Sequence, residues 1–327
     1  MPLRDFRLPY DIQTMIDILP IAFQYPENPE WSLDAEEIRG AIEQIQRIQR
    51  LWPLFRMLLL VSPSLRDELN GVAWEEAGQA VGLANVGRQG MTNSWTISNV
   101  GVLPAFRRRG IARKLVEGTI DLARKRSADQ VVLQVIDGNT PAFDLYRSLG
   151  FVLYDTSIEL MTHQTTTPPP IPLPAGYVIK AIAMRNWRPR YELARRITPA
   201  DVQRFEPITE ARFRTTWIQL LLPTLFGPGE QTRRIAVYDV AGTMVAFARY
   251  SFRLRPGGVN AISILLDPAH AALAPHLVSS LVTDIISSSP GRKIDFQVRG
   301  WNQPLIDAAL AVGFTKRMAG NSMGLCL

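Results

Sequence analysis

The sequence predicts an α/β protein built as two tandem domains, and three observations carry that expectation. The chain has 327 residues, which is long for a single hydrophobic core, and length alone predicts about two domains. Strand-like and helix-like stretches alternate. Ser94 to Val102 reads as a strand, Ile111, Leu115, Gly118 and Leu122 mark one helical face, and Val131 to Ile136 is a nearly continuous apolar strand. The third observation is repetition. Ala241 to Ala248 echoes Ala77 to Ala84, and Leu266-Asp267-Pro268 echoes Val102-Leu103-Pro104, both displaced by 164 positions. Asn302-Gln303-Pro304 and Val312-Gly313-Phe314 echo Asn139-Thr140-Pro141 and Leu149-Gly150-Phe151, displaced by 163. A duplicated domain with one deletion accounts for all four matches.

The elements of the first half follow in order. Leu3 to Leu8 suits a first strand. Tyr10 to Phe23 carries Ile12, Met15, Ile16 and Leu19 at helical spacing, and Tyr25 to Trp31 is a polar loop with prolines. Ser32 is a candidate N-cap for an amphipathic helix over Ala35 to Leu51, with Ile38, Ala41, Ile42, Ile45 and Ile48 on one side. Leu54 to Leu69 fits either an extra helix or an irregular excursion. Val72 to Glu76 and Ala80 to Val86 form a hairpin about Ala77-Gly78-Gln79, and Ser94 to Val102 is the next strand.

That strand runs into a basic turn, Leu103 to Leu115, in which Arg107, Gly110 and Ala112 make the pattern R-x-x-G-x-A. Glycine lets backbone approach a ligand closely. The N–H groups that open a helix lack internal partners and sit at its positive end, where a diphosphate binds readily. Downstream, Asn139 to Phe151 reads N-x-x-A-x-x-L-Y-x-x-x-G-F, with Pro141 early in a helix and Gly150 just past its end. The two signatures, in this order with a strand between, resemble the GNAT superfamily of N-acetyltransferases.

The resemblance implies a mixed, mostly antiparallel central sheet flanked by helices in each domain, and acetyl-CoA as co-substrate. It implies that backbone groups of Val100, Gly101 and Val102 hold the pantetheine arm and acyl carbonyl. The N–H groups of Arg107, Arg108, Arg109, Gly110, Ile111 and Ala112 would cradle the pyrophosphate. Arg108, Arg109 and Arg113 would add charge, unless they are simply solvated. Asn139 would bond pantetheine, cap the next helix, or both. Tyr146 occupies the family's proton-donor position, where a half-buried packing role is the alternative. The first two helices of such enzymes line the acceptor site, which makes Phe23, Tyr25, Trp31 and Trp52 candidate contacts or core aromatics.

The reaction implied is direct transfer of acetyl to an amine of a small molecule or peptide. The general base is open. Ser98, Asn99 and Gln134 stand where acidic residues often occur in the family, and Glu75 and Glu76 are the remaining candidates, through a water. Missing acids at those positions leave a non-enzymatic acyl-CoA-binding or sensor protein as the alternative.

The expected organisation is a catalytic domain over 1–163, a Pro/Thr-rich linker over 164–174 within a tract that starts at His163, and a degenerate GNAT-like domain over 175–327. In the second copy Ala271 to Pro275 replaces the arginine-glycine loop, and Ala309 falls at the place of Tyr146. The paired architecture is similar to that of tandem acetyltransferases such as mycothiol synthases. Its second domain is expected to be structural or to complete the acceptor pocket.

Bulk composition narrows the rest. Hydrophobic residues make up 46% and charged residues 20%, with net charge +6 and a sequence pI near 9.7. No nucleic-acid motif accompanies that charge, so no nucleic-acid partner is expected. Cys326 is the single cysteine and there are three histidines, which leaves no internal disulfide and no Cys/His metal cluster. Met1 to Phe6 lacks the apolar core of a signal peptide, and the apolar run Leu51 to Val61 is interrupted by Pro53 and Arg56. It is shorter than the ~20 residues of a membrane span. A cytoplasmic monomer or homodimer is the expectation.

Overall fold

A computed structural model describes residues 2–327 apart from 33–34, 62–66, 68–69, 91, 215–229 and 255–258. It divides into two compact units. The first holds Met1–Tyr154, Arg204–Pro207 and Asn321–Leu327. The second holds Asp155–Gln203 and Ile208–Gly320.

In the first unit β1 (Leu3–Asp5), α1 (Tyr10–Ala22), α2 (Ala35–Arg50) and α3 (Trp52–Val61) precede β2 (Asn70–Glu76), β3 (Gln79–Arg88) and β4 (Ser94–Val102). Helix α3 resolves the first part of the ambiguous stretch from Leu54, while most of 62–69 lies outside the described residues. Then come α4 (Ile111–Lys125), β5 (Gln130–Ile136) and α5 (Thr140–Ser148). Strands β1 to β4 pair antiparallel in sequence order, and β5 joins β4 in parallel. The β2–β3 hairpin turns through Ala77 and Gly78, both at positive φ, the backbone of a tight primed turn. Helix α4 buries Ile111, Leu115, Val116, Leu122 and Ala123 against the sheet, with Trp95 beneath. Gly118 lies close to Leu3 and Val72, and a Cβ there would meet Leu3 at 2.8 Å.

Helix α1 is fixed by charge as well as by packing. Asp11 is fully buried and accepts two hydrogen bonds from Arg4, at 2.7 and 2.8 Å, and one from Thr14 at 3.1 Å. Arg4 also donates to Glu75 of β2 at 2.6 Å. Burial opposes ionisation of Asp11, but the bonds from Arg4 and the Arg7 N–H outweigh it and hold its pKa below the usual carboxylate range. The triad therefore ties the start of α1 to the first two strands. Ser32 accepts a hydrogen bond from the Tyr25 N–H at 2.8 Å, and its expected cap on α2 falls at 33–34, outside the described residues.

The second unit takes in β6 (Val152–Thr162) from Asp155 onward. Next are β7 (Val178–Ala181), α6 (Arg188–Ile197), α7 (Ala200–Phe205), α8 (Glu210–Phe213), β8 (Glu230–Tyr238) and β9 (Met244–Arg253). After these come β10 (Asn260–Leu266), α9 (Ala274–Ser288), β11 (Ile294–Arg299), α10 (Gln303–Ala311) and β12 (Thr315–Cys326), which belongs to this unit as far as Gly320. Its sheet runs β6-β11-β10-β9-β8-β7. Helix α9 buries Ala274, Val278, Leu281 and Ile285, spaced as Ile111, Leu115, Gly118 and Leu122 are in α4. Pro268 to Ser288 is long and apolar enough to cross a membrane by length and composition, yet half of that window is buried, and α9 packs on β9 and β10.

The compact units do not follow the boundary at 163–175. Asp155 to Thr162 of β6 pairs with β11, so the end of the first repeat lies in the second unit. Reciprocally, Asn321 to Leu327 lies beside β5 in the first unit, where the Leu327 N–H donates to Asp129 O at 3.0 Å and Met323 enters the core. Each sheet is completed by a strand from the other repeat. The Pro/Thr tract also differs from a free linker. Ser279 donates to Pro169 O at 2.9 Å, His276 Nδ1 lies 2.6 Å from Ile171 O, and Leu173 packs on the core. The tract is held along the second unit because polyproline backbone has unbonded carbonyls that side chains can reach.

Candidate functional site

The site lies where β4 and β5 part. Their parallel pairing covers only Ser94–Thr96 with Gln130–Val132, leaving β4 unpaired on that side from Ile97 to Val102. In antiparallel pairing alternate residues face β3, so the residues between them present backbone groups to the gap. A register shift between Leu83 and Asn85 accompanies Asn99 at φ +53°, and its amide donates to Asn85 Oδ1 at 3.2 Å. Asparagine tolerates this left-handed backbone. Sequence reasoning weighed Asn99 only as a missing base. Its role here is to shape the bulge.

The basic turn closes one end of the gap. Arg108 and Gly110 both have positive φ, +64° and +78°, and Gly110 caps α4. A Cβ on Gly110 would meet nothing within 4 Å, so glycine is required there for its backbone angle, not for space. Among the described residues, the backbone N–H groups from Arg108 to Arg113 have no partner. They form an open donor row at a helix N-terminus, suited to a diphosphate. The Arg107 N–H is not part of it, because it already donates to Pro104 O at 3.2 Å. The expected cradle thus begins one residue later.

The arginine side chains separate by role. Arg107 donates to Val102 O at 3.1 Å and to Ala22 O at 2.9 Å, clamping the end of β4 to the end of α1. Arg109 lies over the Phe106 ring, with its guanidinium carbon 5.1 Å from the centroid, and pairs with Glu76 at 3.4 Å. Arg113 donates to Ser148 Oγ at 2.6 Å, bridging α4 to α5. Arg108 is exposed and has no bonded partner among the described residues.

The other wall carries the aromatic groups. Tyr146 on α5 is 7% exposed and lies edge-on to Phe151, with centroids 6.0 Å apart. Its hydroxyl has no hydrogen-bond partner among the described residues, and it is not sealed from solvent. Burial, reinforced by the nearby Tyr25, pushes its pKa up to about 12. Burial likewise raises Tyr25, against the pull of Arg107, which places the three groups together. Tyr25 also meets Trp31 edge-on at 5.6 Å. Trp31 lies over the β5–α5 turn, where a Cβ on Gly138 would stand 3.2 Å from its ring. A Cβ on Gly101 would stand 3.0 Å from Ala22 and 3.7 Å from the Phe23 ring. Gly101 is thus the point where α1 reaches β4. Asn139 caps α5, accepting from the Ala142 N–H at 3.3 Å, which leaves its amide group free to donate. Trp52 begins α3.

Neither candidate base is free. Glu75 is bonded to Arg4, and Glu76 is paired with Arg109 and accepts from Trp74 Nε1 at 3.3 Å.

The second unit repeats the gap without the chemistry. Strands β10 and β11 pair only over Asn260–Ile262 and Ile294–Phe296. Asn302, 2% exposed, donates to Leu266 O at 3.0 Å and so closes the end of β10 from within. Leu273, Ala274 and Ala309 are buried core residues where the first unit has its basic turn and Tyr146. A pocket of about 820 Å³ lies elsewhere in this unit, between the Pro/Thr tract and helices α9 and α10. Proline and alanine dominate its walls and Asp307 is its one charged residue, which places no group there for acyl transfer.

The Acetyltransferase (GNAT) family profile matches residues 30–151, which include both signatures. The chain carries a GNAT acetyltransferase domain. Streptothricin acetyltransferase from Streptomyces lavendulae is 35% identical over 85 residues, 26% of this chain and 45% of that protein. N-alpha-acetyltransferase RimI from Mycobacterium tuberculosis is 38% identical over 82 residues, 24% of this chain and 50% of its own length. The chain spans about half the length of these curated relatives. A tandem GNAT protein from the clavulanic acid biosynthesis pathway superposes with a TM-score of 0.62 at 15% identity, covering 99% of this chain and 98% of that one. The tandem fold therefore extends beyond the GNAT domain to the second unit.

Proposed function

We propose that the first unit transfers the acetyl group of acetyl-CoA to an amine of a small molecule or peptide, by direct attack in a ternary complex. The observation that carries this reading is the conjunction of a parted β4–β5 pair, an open row of N–H donors from Arg108 to Arg113, and a protonated Tyr146 on α5, the helix that Arg113 bonds through Ser148. The relatives named for streptothricin and for N-alpha acetylation support the amine class.

In this reading the donor row binds the diphosphate, and backbone groups of Val100, Gly101 and Val102 that face the gap hold the pantetheine arm and orient the thioester. The lone pair of a neutral amine attacks the thioester carbonyl, the C–S bond breaks as Tyr146 donates a hydrogen bond to the departing thiolate, and the proton that the nitrogen sheds passes through water to that thiolate or to solvent. Proximity and orientation supply much of the remaining acceleration. Arg107 fixes the distance between donor strand and acceptor helix through its two carbonyl bonds. Glu75 and Glu76 being engaged in ion pairs favours an amine that is already neutral on arrival. The same observation is what favours the alternative, an acyl-CoA-binding protein without catalysis. The full chain incubated with acetyl-CoA and a panel of amines and peptides distinguishes the two, with release of free CoA thiol as the signal. Binding of acetyl-CoA without release above background for any acceptor would favour the second reading.

A further inference from the structure

The pocket of about 820 Å³ in the second unit lies in the cleft between α9 and α10. The same cleft in the first unit, between α4 and α5, is spanned by Arg113, which donates to Ser148 Oγ at 2.6 Å. At the displacement of 163 that relates the repeats, His276 and Ala311 take those two places. Ala311 offers no side-chain acceptor. His276 turns instead to the Pro/Thr tract, where its Nδ1 lies 2.6 Å from Ile171 O. Ser279 holds Pro169 O at 2.9 Å, and Gln164 donates to Val312 O. The cleft that a bridge spans in one repeat is thus unbridged in the other and roofed by the tract.

The walls have also changed sign. Ala271 stands in the place of Arg108, and Pro275 in that of Ala112. Pro275 has no N–H to offer, and the Ala274 N–H beside it already donates to Ala271 O. Pro168, Pro169 and Pro304 line the pocket and lack donors for the same reason. No cationic side chain lines it, and its one charge is the Asp307 carboxylate. Among the described residues Asp307 has a single partner, the Gln303 amide, which donates to it at 2.7 Å without neutralising it. In a chain of net charge +6, this is a cavity whose fixed charge is negative. Its size suits a small organic molecule. An ammonium set against Asp307 gains a charge-assisted hydrogen bond, while an apolar body covers the proline and alanine walls. A phosphate would meet acceptors where the first unit presents donors.

We infer that the α9–α10 cleft of the second unit is a binding site for a small organic cation, an ammonium on an apolar body, with Asp307 as its counter-charge. The inference stands independently of acetyl transfer by the first unit. The test is calorimetric titration of the full chain with 2-(1-naphthyl)ethylamine and with 2-(1-naphthyl)ethanol, its neutral counterpart of the same shape. The amine is expected to bind with a Kd at or below about 1 mM, and the alcohol about tenfold or more weakly than the amine. Asp307→Asn removes that preference by weakening the amine to the level of the alcohol. Ala311→Phe fills the cleft and abolishes binding of both. Both positions are exposed, and a Tm near that of wild type shows that each variant is folded. Should Asp307→Asn not fold, Ala311→Phe keeps the test decisive. Asp201→Asn, an exposed carboxylate on α7, leaves both affinities unchanged. No binding of the amine up to about 10 mM, or equal affinity for the alcohol, overturns the inference. So does amine binding that survives both Asp307→Asn and Ala311→Phe, since it then belongs to another site, such as an acceptor site in the first unit.

Discussion

Removing the Tyr146 hydroxyl separates chemistry from folding. Lifting this group from its ordinary value near 10 to about 12 sets about 3 kcal/mol against its ionisation. At pH 8 about one molecule in ten thousand carries it deprotonated. A thiol titrates near 8.5, so complete proton transfer from Tyr146 to a thiolate is uphill by about 5 kcal/mol. The structure therefore favours a hydrogen bond to the developing charge over full transfer. Such a charge-assisted bond is worth about 1.5–3 kcal/mol, or about 10–150-fold in turnover. Because the hydroxyl has no partner in the folded protein, Tyr146→Phe should leave Tm within about 1–2 °C. The assay is CoA thiol release against an acceptor identified from the amine panel, with acetyl-CoA affinity measured by calorimetry. The expected result is turnover lowered by about 10–150-fold with affinity unchanged. The ratio between wild type and variant should stay constant from pH 6 to 10, since the neutral donor persists until its pKa is approached. Unchanged turnover, or a ratio that collapses inside that pH range, would falsify the donor role.

Other consequences are equally accessible. Gly110→Asp places a side chain and a negative charge at φ +78° beside the donor row, and is expected to abolish acetyl-CoA binding by calorimetry. Ala272→Asp, exposed in the corresponding turn of the second unit, should bind as wild type, and a matching loss there would refute the division of labour. Arg4→Met leaves buried Asp11 without its partner and should cost about 3–5 kcal/mol, lowering Tm by roughly 6–20 °C. Since the folded pKa of Asp11 is depressed, its stabilisation is complete above the unfolded carboxylate pKa near 3.9 and is lost as pH falls through the folded value. Asp11→Asn should accordingly melt lower than wild type at pH 7, and the gap should narrow in acid. A Cβ on Gly71 would stand 2.6 Å from both Ala84 O and the Phe6 ring, so Gly71→Ala should cost about 1–3 kcal/mol in thermal melts.

Local features of the site were legible because local chemistry determines them. The hairpin turn at Ala77-Gly78, strand β4, the glycine cap of α4 and the cap at Asn139 follow from backbone preference and apolar spacing, and each forms as its residues predict. What the sequence concealed is long-range. Nothing in R-x-x-G-x-A indicates that Arg107 reaches back 85 residues to Ala22 O. The same arginine in a different loop register would face solvent. Glu75 and Glu76 looked available as bases because their partners, Arg4 and Arg109, are distant in the chain. The tract after His163 read as a linker by composition, and only the positions of Ser279 and His276 show that it is held. Strand exchange is the extreme case. Either terminal strand has the alternation to close either sheet, and pattern does not specify the partner.

That exchange makes the two repeats mutually dependent. Residues 321–327 close the sheet of the unit that carries the basic turn. A gene shortened after the first repeat would encode that loop on a sheet whose β5 edge is bare, an invitation to aggregate. The second repeat lacks the arginine turn and the tyrosine, yet it supplies the strand that closes the sheet of the first. Neither repeat can be cut away without opening the other's sheet.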